Sequence, residues 1–319
     1  MSVSLARFGL AVGHATDEPG ATGCTVIRGI DAFHRAAATV VGRSTGTREL
    51  TLLDPGHRVD HVDAILLTGG SAYGLDAAAG VMRWMERRGR GFPVGAGVVP
   101  IVPAAVLFDL LPLGRFDARP TAAMAEAACE GARPDGITEG SVGAGTGLTV
   151  GKVLGKPGAM KGGFGVAVRE AQGCAAAAMV AVNAFGDVRD GSGRIIAGAR
   201  RPDGKFADTE AVFAAGGPER AFGDGASPNT TLAVVALDAS FSKVDLHQLA
   251  KAATAALHRR IAPAGSSFDG DIVFALSPIE GPRAPLAQAE MLAVAALEEA
   301  IERAVRLAKG REGVPGLAD

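Results

Sequence analysis

The chain has few cysteines, little net charge and no long apolar run. Its three cysteines, Cys24, Cys129 and Cys174, are widely spaced, and none of them forms a metal-ligand pair with another. This usage is typical of a protein from a reducing compartment. The net charge of −2 gives no reason to expect nucleic acid or an anionic membrane as a partner. No segment reaches the roughly 18 apolar residues of a membrane span.

The N-terminal segment, "MSVSLARFGLAVGHA", contains a single arginine and a short apolar run. That run is too short for a convincing signal peptide. Together with the cysteine usage, this segment predicts a cytoplasmic location.

The remaining composition is that of a globular protein with a large core. Hydrophobic residues make up 48% of the chain and charged residues 21%. Because no linker-like segment marks a boundary, we expect a single domain over residues 1–319.

Hydrophobic patterns predict strands and helices in alternation along this domain. The predicted strands cover residues 61–70, 162–168, 174–188 and 271–277. The predicted helices cover residues 72–89, 242–261 and 284–310. Ser242 and Asp245 resemble a capping box at the start of the second helix. The Gly-, Asp- and Pro-rich segment 187–229 is interpreted as a long exposed loop. Helices that cover small-residue strands predict a layered α/β fold, with helices outside two stacked sheets.

The 45 glycines prompt a search for nucleotide-binding motifs. The segment "GAGTGLTVGK" at 143–152 resembles a phosphate-binding loop. However, Thr146 stands where that loop needs its first glycine, and Val153 replaces the metal-binding Ser or Thr. The glycines of this segment also lack the spacing of a dinucleotide-binding motif. Nucleotide binding is therefore not predicted.

Serine-hydrolase and zinc-protease motifs fail on similar grounds. Ser71 in "TGGSAYG" follows Gly69, but Tyr73 occupies the place of the second glycine in a nucleophile elbow. His57 and His61 lie in the turn region "PGHRVDH", which lacks the glutamate of a zinc-protease motif. A solvated loop is the better interpretation of these two histidines.

The segment "SPNTTLAVVALD" at 227–238 runs from a turn directly into a strand that starts at Thr230. A threonine hydroxyl is a weak nucleophile without a neighbouring base, but a chain-terminal threonine can use its own α-amine. Self-cleavage of the Asn229–Thr230 bond would create such a residue. A strained turn before a rigid strand would hold the Asn229 carbonyl within reach of the hydroxyl. The alternative is an ordinary turn before a strand-favouring residue, and this segment alone leaves both interpretations open.

Five segments match a known family in sequence and in order. They are "EPGATGCTVI", "LTGGSAYGLDAAAGV", "GSVGAGTGLTVGKV", "VAVNAFGDV" and "NTTLAVVALDASFSKVDLHQLAKAATAALHRRIAPAGSSFDGDIVFALS". Through them nearly the whole chain resembles the DmpA-type autoprocessing hydrolases, which include D-aminopeptidases, β-peptidyl aminopeptidases and nylon-oligomer endo-hydrolases. The resemblance implies a four-layer αββα sandwich, similar to that of N-terminal-nucleophile hydrolases and ornithine acetyltransferases.

The resemblance also implies a set of site residues. It makes Thr230 the nucleophile and Asn229 the last residue of a larger fragment, 1–229, with 230–319 as the smaller fragment. Five further residues would line the same pocket: Asp269, Asp271, Lys152, Asn183 and Tyr73. The Asp-x-Asp pattern follows the nylon-hydrolase branch, whereas the aminopeptidase branch tends to have Ser-x-Glu. Family members form oligomers, so we expect a homo-oligomer, with a tetramer favoured.

The chemistry of these side chains suits such a site. Asp269 and Asp271 would point to one face of an extended segment, where two close carboxylates raise one pKa; the alternative is an Asp-Gly hairpin turn. We expect Asp271 to orient the new amine and Asp269 to poise the hydroxyl, or the reverse. Lys152 would neutralise a carboxylate or assist an oxyanion. The Asn183 amide and the Tyr73 hydroxyl are suitable oxyanion donors.

The sequence therefore predicts an autoprocessing amide hydrolase that acts on small peptides or nylon-type oligoamides, with no metal or organic cofactor. Three alternatives stay open: a strict aminopeptidase for D- or β-residues, an acyltransferase of the ornithine acetyltransferase type, and an unprocessed binding protein. "NTTLAVV" lacks the Met-Leu-Gly run that is associated with the acetyltransferases.

Overall fold

The computed structural model describes residues 3–217 and 229–319. Within these ranges the β-strands are, in chain order, β1 (Leu10–Asp17), β2 (Thr22–Gly29), β3 (His34–Val40), β4 (Thr47–Arg48), β5 (His61–Val62), β6 (Ala64–Thr68), β7 (Phe92–Pro93), β8 (Val98–Val99), β9 (Ala104–Val106), β10 (Thr149–Val150), β11 (Met160–Lys161), β12 (Gly163–Ala171), β13 (Cys174–Asn183), β14 (Asp187–Arg189), β15 (Ile195–Ala197), β16 (Thr230–Leu237), β17 (Ile261–Ala262) and β18 (Ile272–Pro278). The α-helices are α1 (Ala78–Glu86), α2 (Ala122–Glu130), α3 (Thr209–Ala214), α4 (Lys243–Arg260) and α5 (Leu286–Arg306).

Two large sheets organise these strands. The first has six strands in the order β12-β13-β16-β18-β3-β5, and the second has five in the order β1-β2-β6-β9-β4. Neighbouring strands in both sheets are antiparallel, except that β16 is parallel to β18 and β6 is parallel to β9. The remaining strands form small two- and three-stranded sheets.

The six-stranded sheet sends alternate side chains into two different cores. Along β13, Val180 and Val182 pack with α4 and α5, whereas Met179 and Ala181 pack against the five-stranded sheet. On its far side, the five-stranded sheet packs against α1 and α2. Helices therefore lie outside two stacked sheets, which confirms the four-layer αββα sandwich.

Small residues bring α5 close to the six-stranded sheet. A Cβ at Gly165 of β12 would stand 2.1 Å from the carbonyl oxygen of Ala300, so glycine is required under this helix. Alanines of β13, among them Ala176 and Ala178, line the same core. The small-residue strands seen in the sequence thus provide the face of the six-stranded sheet on which α5 packs.

Helix α4 begins where the sequence predicts it. The Ser242 hydroxyl accepts a hydrogen bond from the N–H of Asp245 at 3.1 Å and donates one to the Asp245 carboxylate at 2.6 Å. The predicted helix at 72–89 differs in its first turns, which form a 3-10 helix, Ser71–Ala77, that follows the left-handed turn at Gly70 (φ 80°). No helix of the described ranges combines the length and the apolar character that a bilayer crossing requires.

The structure corrects two predictions for the middle of the chain. The single strand expected over 174–188 is two strands, β13 and β14, because the chain turns at Gly186, where a Cβ would stand 2.3 Å from the carbonyl oxygen of Pro263. The segment 187–217 is not one long loop, since it contains β14, β15 and α3, although its turns at 191–194 and 201–205 are exposed. Residues 218–228, which complete the predicted loop, lie outside the described residues.

The buried carboxylate of Asp187 connects distant parts of this segment. Asp187 accepts hydrogen bonds from the N–H of Thr209 at 2.6 Å, from the Thr209 hydroxyl at 2.8 Å and from the N–H of Ala199 at 2.8 Å. These contacts fix Ala199 and Thr209 to the first residue of β14. A composition rich in Gly and Asp carried no sign of them.

Candidate active site

Asn229 and Thr230 lie at the start of a central strand of the six-stranded sheet. Thr230 is the first residue of β16, pairs with Asn183 of β13 and is 4% exposed. Asn229 is 1% exposed and forms a parallel bridge with Asp269, just before β18. The peptide bond between them is therefore buried between two neighbouring segments that both carry predicted site residues.

The carbonyl group of Asn229 is held by the backbone of Gly270. The Gly270 N–H donates a hydrogen bond to this carbonyl oxygen at 2.7 Å. A Cβ at Gly270 would stand 2.8 Å from Thr230 Oγ1, so the Thr230 hydroxyl and the Gly270 residue lie side by side. A backbone N–H in this place stabilises the negative charge that develops on the carbonyl oxygen during nucleophilic attack.

Lys152 is buried beside the same residues. Its Nζ donates hydrogen bonds to Oδ1 of Asn229 at 2.8 Å, and to Oδ1 and the carbonyl oxygen of Asn183 at 2.8 and 3.2 Å. Burial lowers the pKa of Lys152 to about 7, although the charges of Asp269 and Asp271 act in the opposite direction. Three acceptor oxygens match the three N–H bonds of the charged amine and favour this charged form, in opposition to burial.

Asp269 and Asp271 are both buried and face the same turn. The Asp271 carboxylate accepts hydrogen bonds from the N–H groups of Thr231 at 2.6 Å and Gly265 at 3.2 Å, and the Asp269 carboxylate accepts one from the N–H of Ser266 at 2.7 Å. Burial raises the pKa of both carboxyl groups. With the added charge of Asp269, the pKa of Asp271 reaches about 7. Asp271 therefore keeps its proton to higher pH than an exposed aspartate does, and it lies beside the backbone that follows Thr230.

Asn183, the last residue of β13, is fixed by contacts on both ends of its amide. Oδ1 accepts hydrogen bonds from Lys152 and from the N–H of Thr149 at 3.2 Å, and Nδ2 donates one to the carbonyl oxygen of Phe108 at 3.0 Å. One N–H bond of the amide is therefore used within the protein. The second N–H makes no hydrogen bond among the described residues.

Tyr73 stands apart from these contacts. It lies in the 3-10 helix Ser71–Ala77, is 54% exposed, and packs its ring against the guanidinium of Arg119, 3.5 Å from the ring centroid. Among the described residues its hydroxyl makes no hydrogen bond with the other predicted site residues. The structure does bring six of the predicted residues into one network of contacts: Lys152, Asn183, Asn229, Thr230, Asp269 and Asp271.

Two features of this site were not predicted from the sequence. Gly270 contributes a backbone N–H, and its only sign in the sequence is a glycine between two aspartates in "FDGD". Asp109, next to the carbonyl group that binds Asn183, is a carboxylate within the apolar run "AAVLFDLLPL". Within the described ranges, no group of three His, Cys, Asp or Glu residues could hold a metal ion.

Solved structures share this architecture. The chain matches an L-aminopeptidase D-Ala-esterase/amidase from Ochrobactrum anthropi, described as a variant of the N-terminal-nucleophile hydrolase fold, with a TM-score of 0.73, 19% identity, and coverage of 99% of this chain and 90% of that one. It matches a beta-aminopeptidase of Burkholderia sp. with a TM-score of 0.69, 22% identity, and coverage of 97% and 88%. The fold is therefore that of the N-terminal-nucleophile hydrolases.

The chain belongs to Peptidase family S58, whose model matches residues 8–317. An uncharacterised aminopeptidase of Mycobacterium tuberculosis strain H37Rv is 43% identical over 242 residues, which cover 74% of this chain and 67% of the relative. A 6-aminohexanoate-oligomer endohydrolase of Kocuria sp. strain KY2 is 33% identical over 285 residues, which cover 85% and 74%. Family membership confirms the resemblance to the DmpA-type enzymes and makes the protein a hydrolase.

Proposed function

We propose that the protein cuts its own Asn229–Thr230 bond and then hydrolyses external amides with Thr230 as its N-terminal nucleophile. The observation that carries this proposal is the hydrogen bond from the Gly270 N–H to the Asn229 carbonyl oxygen, with the Thr230 hydroxyl beside it. Nucleophile, electrophile and oxyanion donor are close together in the uncut chain. Such an arrangement removes much of the entropic cost of the attack.

In the first reaction, Thr230 Oγ1 attacks the carbonyl carbon of Asn229. The hydroxyl proton passes to the buried cluster of Lys152 and the two aspartates, and the Gly270 N–H stabilises the oxyanion. The C–N bond then breaks, its nitrogen takes up a proton, and an ester joins Asn229 to Thr230 Oγ1. Water hydrolyses this ester, which leaves a carboxylate on Asn229, a free hydroxyl on Thr230 and a new α-amine.

In the second reaction, the α-amine of Thr230 serves as the base. It takes the hydroxyl proton while Oγ1 attacks the substrate carbonyl carbon, and it returns the proton to the leaving amine. Asp271, which accepts a hydrogen bond from the N–H of Thr231, orients the amine of Thr230. Asp269 poises the Thr230 hydroxyl. The Asn183 amide acts as a donor to the oxyanion. Water then releases the acyl group.

The substrate is an amide of a small peptide or of a nylon-type oligomer. The relative named as a 6-aminohexanoate-oligomer endohydrolase and the Asp-x-Asp pattern favour internal amides. A strict aminopeptidase is the second candidate, because the relative named as an aminopeptidase has the higher identity, 43% against 33%. Oligomers with free and acetylated N-termini separate the two: cleavage of both supports an endo-hydrolase, and cleavage of the free form alone supports an aminopeptidase.

Two adjacent threonines provide a matched test of the nucleophile. Thr230→Val and Thr231→Val each replace a buried hydroxyl with a methyl group, and Thr231 Oγ1 has no hydrogen-bond partner among the described residues. We expect Thr230→Val to remain full length and inactive, and Thr231→Val to be cut and active. Thr230→Ser keeps a hydroxyl and is expected to be cut. Normal cleavage of Thr230→Val would show that another group is the nucleophile.

A further inference from the structure

A buried carboxylate, that of Asp109, holds the turn at Gly69 and Gly70. Oδ1 accepts a hydrogen bond from the N–H of Gly70 at 2.7 Å, and Oδ2 accepts one from the hydroxyl of Thr22 at 2.6 Å. A Cβ at Gly69 would stand 2.0 Å from Asp109 Oδ2, so the turn lies directly against the carboxylate. Asp109 therefore fixes the start of the 3-10 helix that carries Tyr73.

The backbone next to Asp109 contacts the candidate active site. The Phe108 carbonyl oxygen accepts the hydrogen bond from Nδ2 of Asn183 at 3.0 Å. The Leu107 carbonyl oxygen accepts one from the N–H of Ser71 at 3.0 Å. Residues 107–109 thus connect the turn at Gly69 and Gly70 with the Asn183 amide, which binds Lys152.

Lys161 supports Asn183 from the other end of its amide. Nζ of Lys161 donates hydrogen bonds to two carbonyl oxygens of the loop 146–148, at 2.7 and 2.9 Å, and the N–H of Thr149 then donates to Asn183 Oδ1. Burial lowers the pKa of Lys161 to about 7 and raises that of Asp109 to about 6, and their opposite charges counteract both shifts. Asp109 and Lys161, two buried side chains of opposite charge, therefore fix the segments on the two sides of the Asn183 amide.

We propose that Asp109 is a positioning residue for the reaction: by holding Gly70 and Thr22 it fixes the Phe108 carbonyl, and thereby the orientation of the Asn183 amide. This inference rests on the proposed function, because it takes Asn183 to act on the reaction at Thr230. Asp109 itself acts through Phe108 and Asn183. A displacement of Asn183 by a fraction of an ångström is enough to slow the attack.

Asp109 has a matched control in Asp63, another buried carboxyl group that accepts a backbone hydrogen bond, from the N–H of Ile101 at 2.7 Å. The test compares Asp109→Ala, Asp109→Asn and Asp63→Ala. For each processed protein, kcat, KM and Tm are measured with an amide substrate. Tyr73, the single tyrosine of the chain, is labelled as 3-fluorotyrosine and gives one assignable 19F signal.

We expect Asp109→Ala to lower kcat about 10- to 100-fold, to leave KM within about twofold, and to shift the 19F signal of Tyr73. Asp109→Asn should recover most of kcat, because its amide oxygen accepts from Gly70 and its NH₂ group donates to the Thr22 hydroxyl. Asp63→Ala should lower Tm and leave both kcat and the 19F signal unchanged.

Three results would overturn the inference: a wild-type kcat in Asp109→Ala, an equal loss in Asp63→Ala, or no recovery in Asp109→Asn. If Asp109→Ala does not fold, Thr22→Val replaces it, since it removes one hydrogen bond and keeps the side-chain shape; an unchanged kcat and 19F signal there would also overturn it. A wild-type protein that neither cuts itself nor hydrolyses amides contradicts the proposed function instead, while the 19F comparison still reports on the Gly70 turn.

Discussion

The backbone N–H of Gly270 donates a 2.7 Å hydrogen bond to the carbonyl oxygen of Asn229. In the uncut chain, the bond that Thr230 would attack is therefore already polarised by a fixed donor. A side chain at position 270 would stand 2.8 Å from Thr230 Oγ1 and 2.5 Å from the carbonyl oxygen of Ser44. Glycine at this position lets the Gly270 N–H and the Thr230 hydroxyl lie side by side.

Gly270→Ala is expected to slow self-cleavage by about 100-fold, because the new methyl group displaces the Thr230 hydroxyl or the donor. Gly97→Ala is the control, since a Cβ at Gly97 would have no neighbour within 4 Å. Cleavage is followed by denaturing gel after dilution of each protein from denaturant. Equal rates for the two variants would remove Gly270 from the reaction.

Lys152→Met is expected to slow self-cleavage by about 100-fold or more, because Asn229 and Asn183 lose their shared donor. Lys243→Met is the control: Lys243 is also buried, and its Nζ donates to three carbonyl oxygens, those of residues 52, 57 and 59. Both variants should be destabilised. If both are cut at the same rate, the role of Lys152 is in stability alone.

Asp271→Asn is expected to change how stability depends on pH. Burial and Asp269 raise the pKa of Asp271 from 3.8 to about 7, so wild-type stability falls as pH rises between these values. The variant has no carboxyl group at this position, so it does not lose stability in this way as pH rises. Its free energy of unfolding relative to wild type should therefore rise between pH 4.5 and pH 7.5, by on the order of 2 to 4 kcal/mol.

This comparison is made in the Thr230→Val background, where both proteins stay uncut. Urea unfolding at the two pH values gives the difference directly. A difference that does not change with pH would mean that Asp271 ionises in the folded protein as it does in the unfolded chain.

The pH dependence of turnover tests the base. A free α-amine titrates near 7.7–8.0, so kcat/KM should rise with pH through a limb between about 6.5 and 8.5. The negative charge of Asp271 favours the protonated amine, and Asp271→Asn should therefore move the limb to lower pH. The measurement is kcat/KM against pH on processed protein. An unmoved limb in an active variant would place Asp271 outside the environment of the base.

The parts of the fold that the sequence predicts are those with local signals. Helix α4 has its cap at Ser242 and a periodic apolar face, and strand β18 is a continuous apolar run. The division of 174–188 into two strands depends on the close approach of Gly186 to Pro263, which are distant in the chain. A local sequence pattern does not indicate contacts between distant residues, so the sequence did not predict that this segment forms two strands.

The site depends even more on contacts between distant residues. Lys152 and Asn229 bind each other across 77 positions of sequence, and each alone would be an ordinary surface residue. Only the family resemblance supplied Lys152, and the segment 227–238 by itself left cleavage after Asn229 as one of two open interpretations. The Gly270 N–H is a backbone group that every residue type except proline carries, so no side-chain pattern identifies it.

The most direct test of the central claim is the intact mass of the purified wild-type protein together with its N-terminal sequences. Self-cleavage predicts that the 32.1 kDa chain yields a light fragment of about 9 kDa, residues 230–319, whose sequence begins Thr-Thr-Leu-Ala-Val. A single full-length species in a preparation that hydrolyses amides would contradict it.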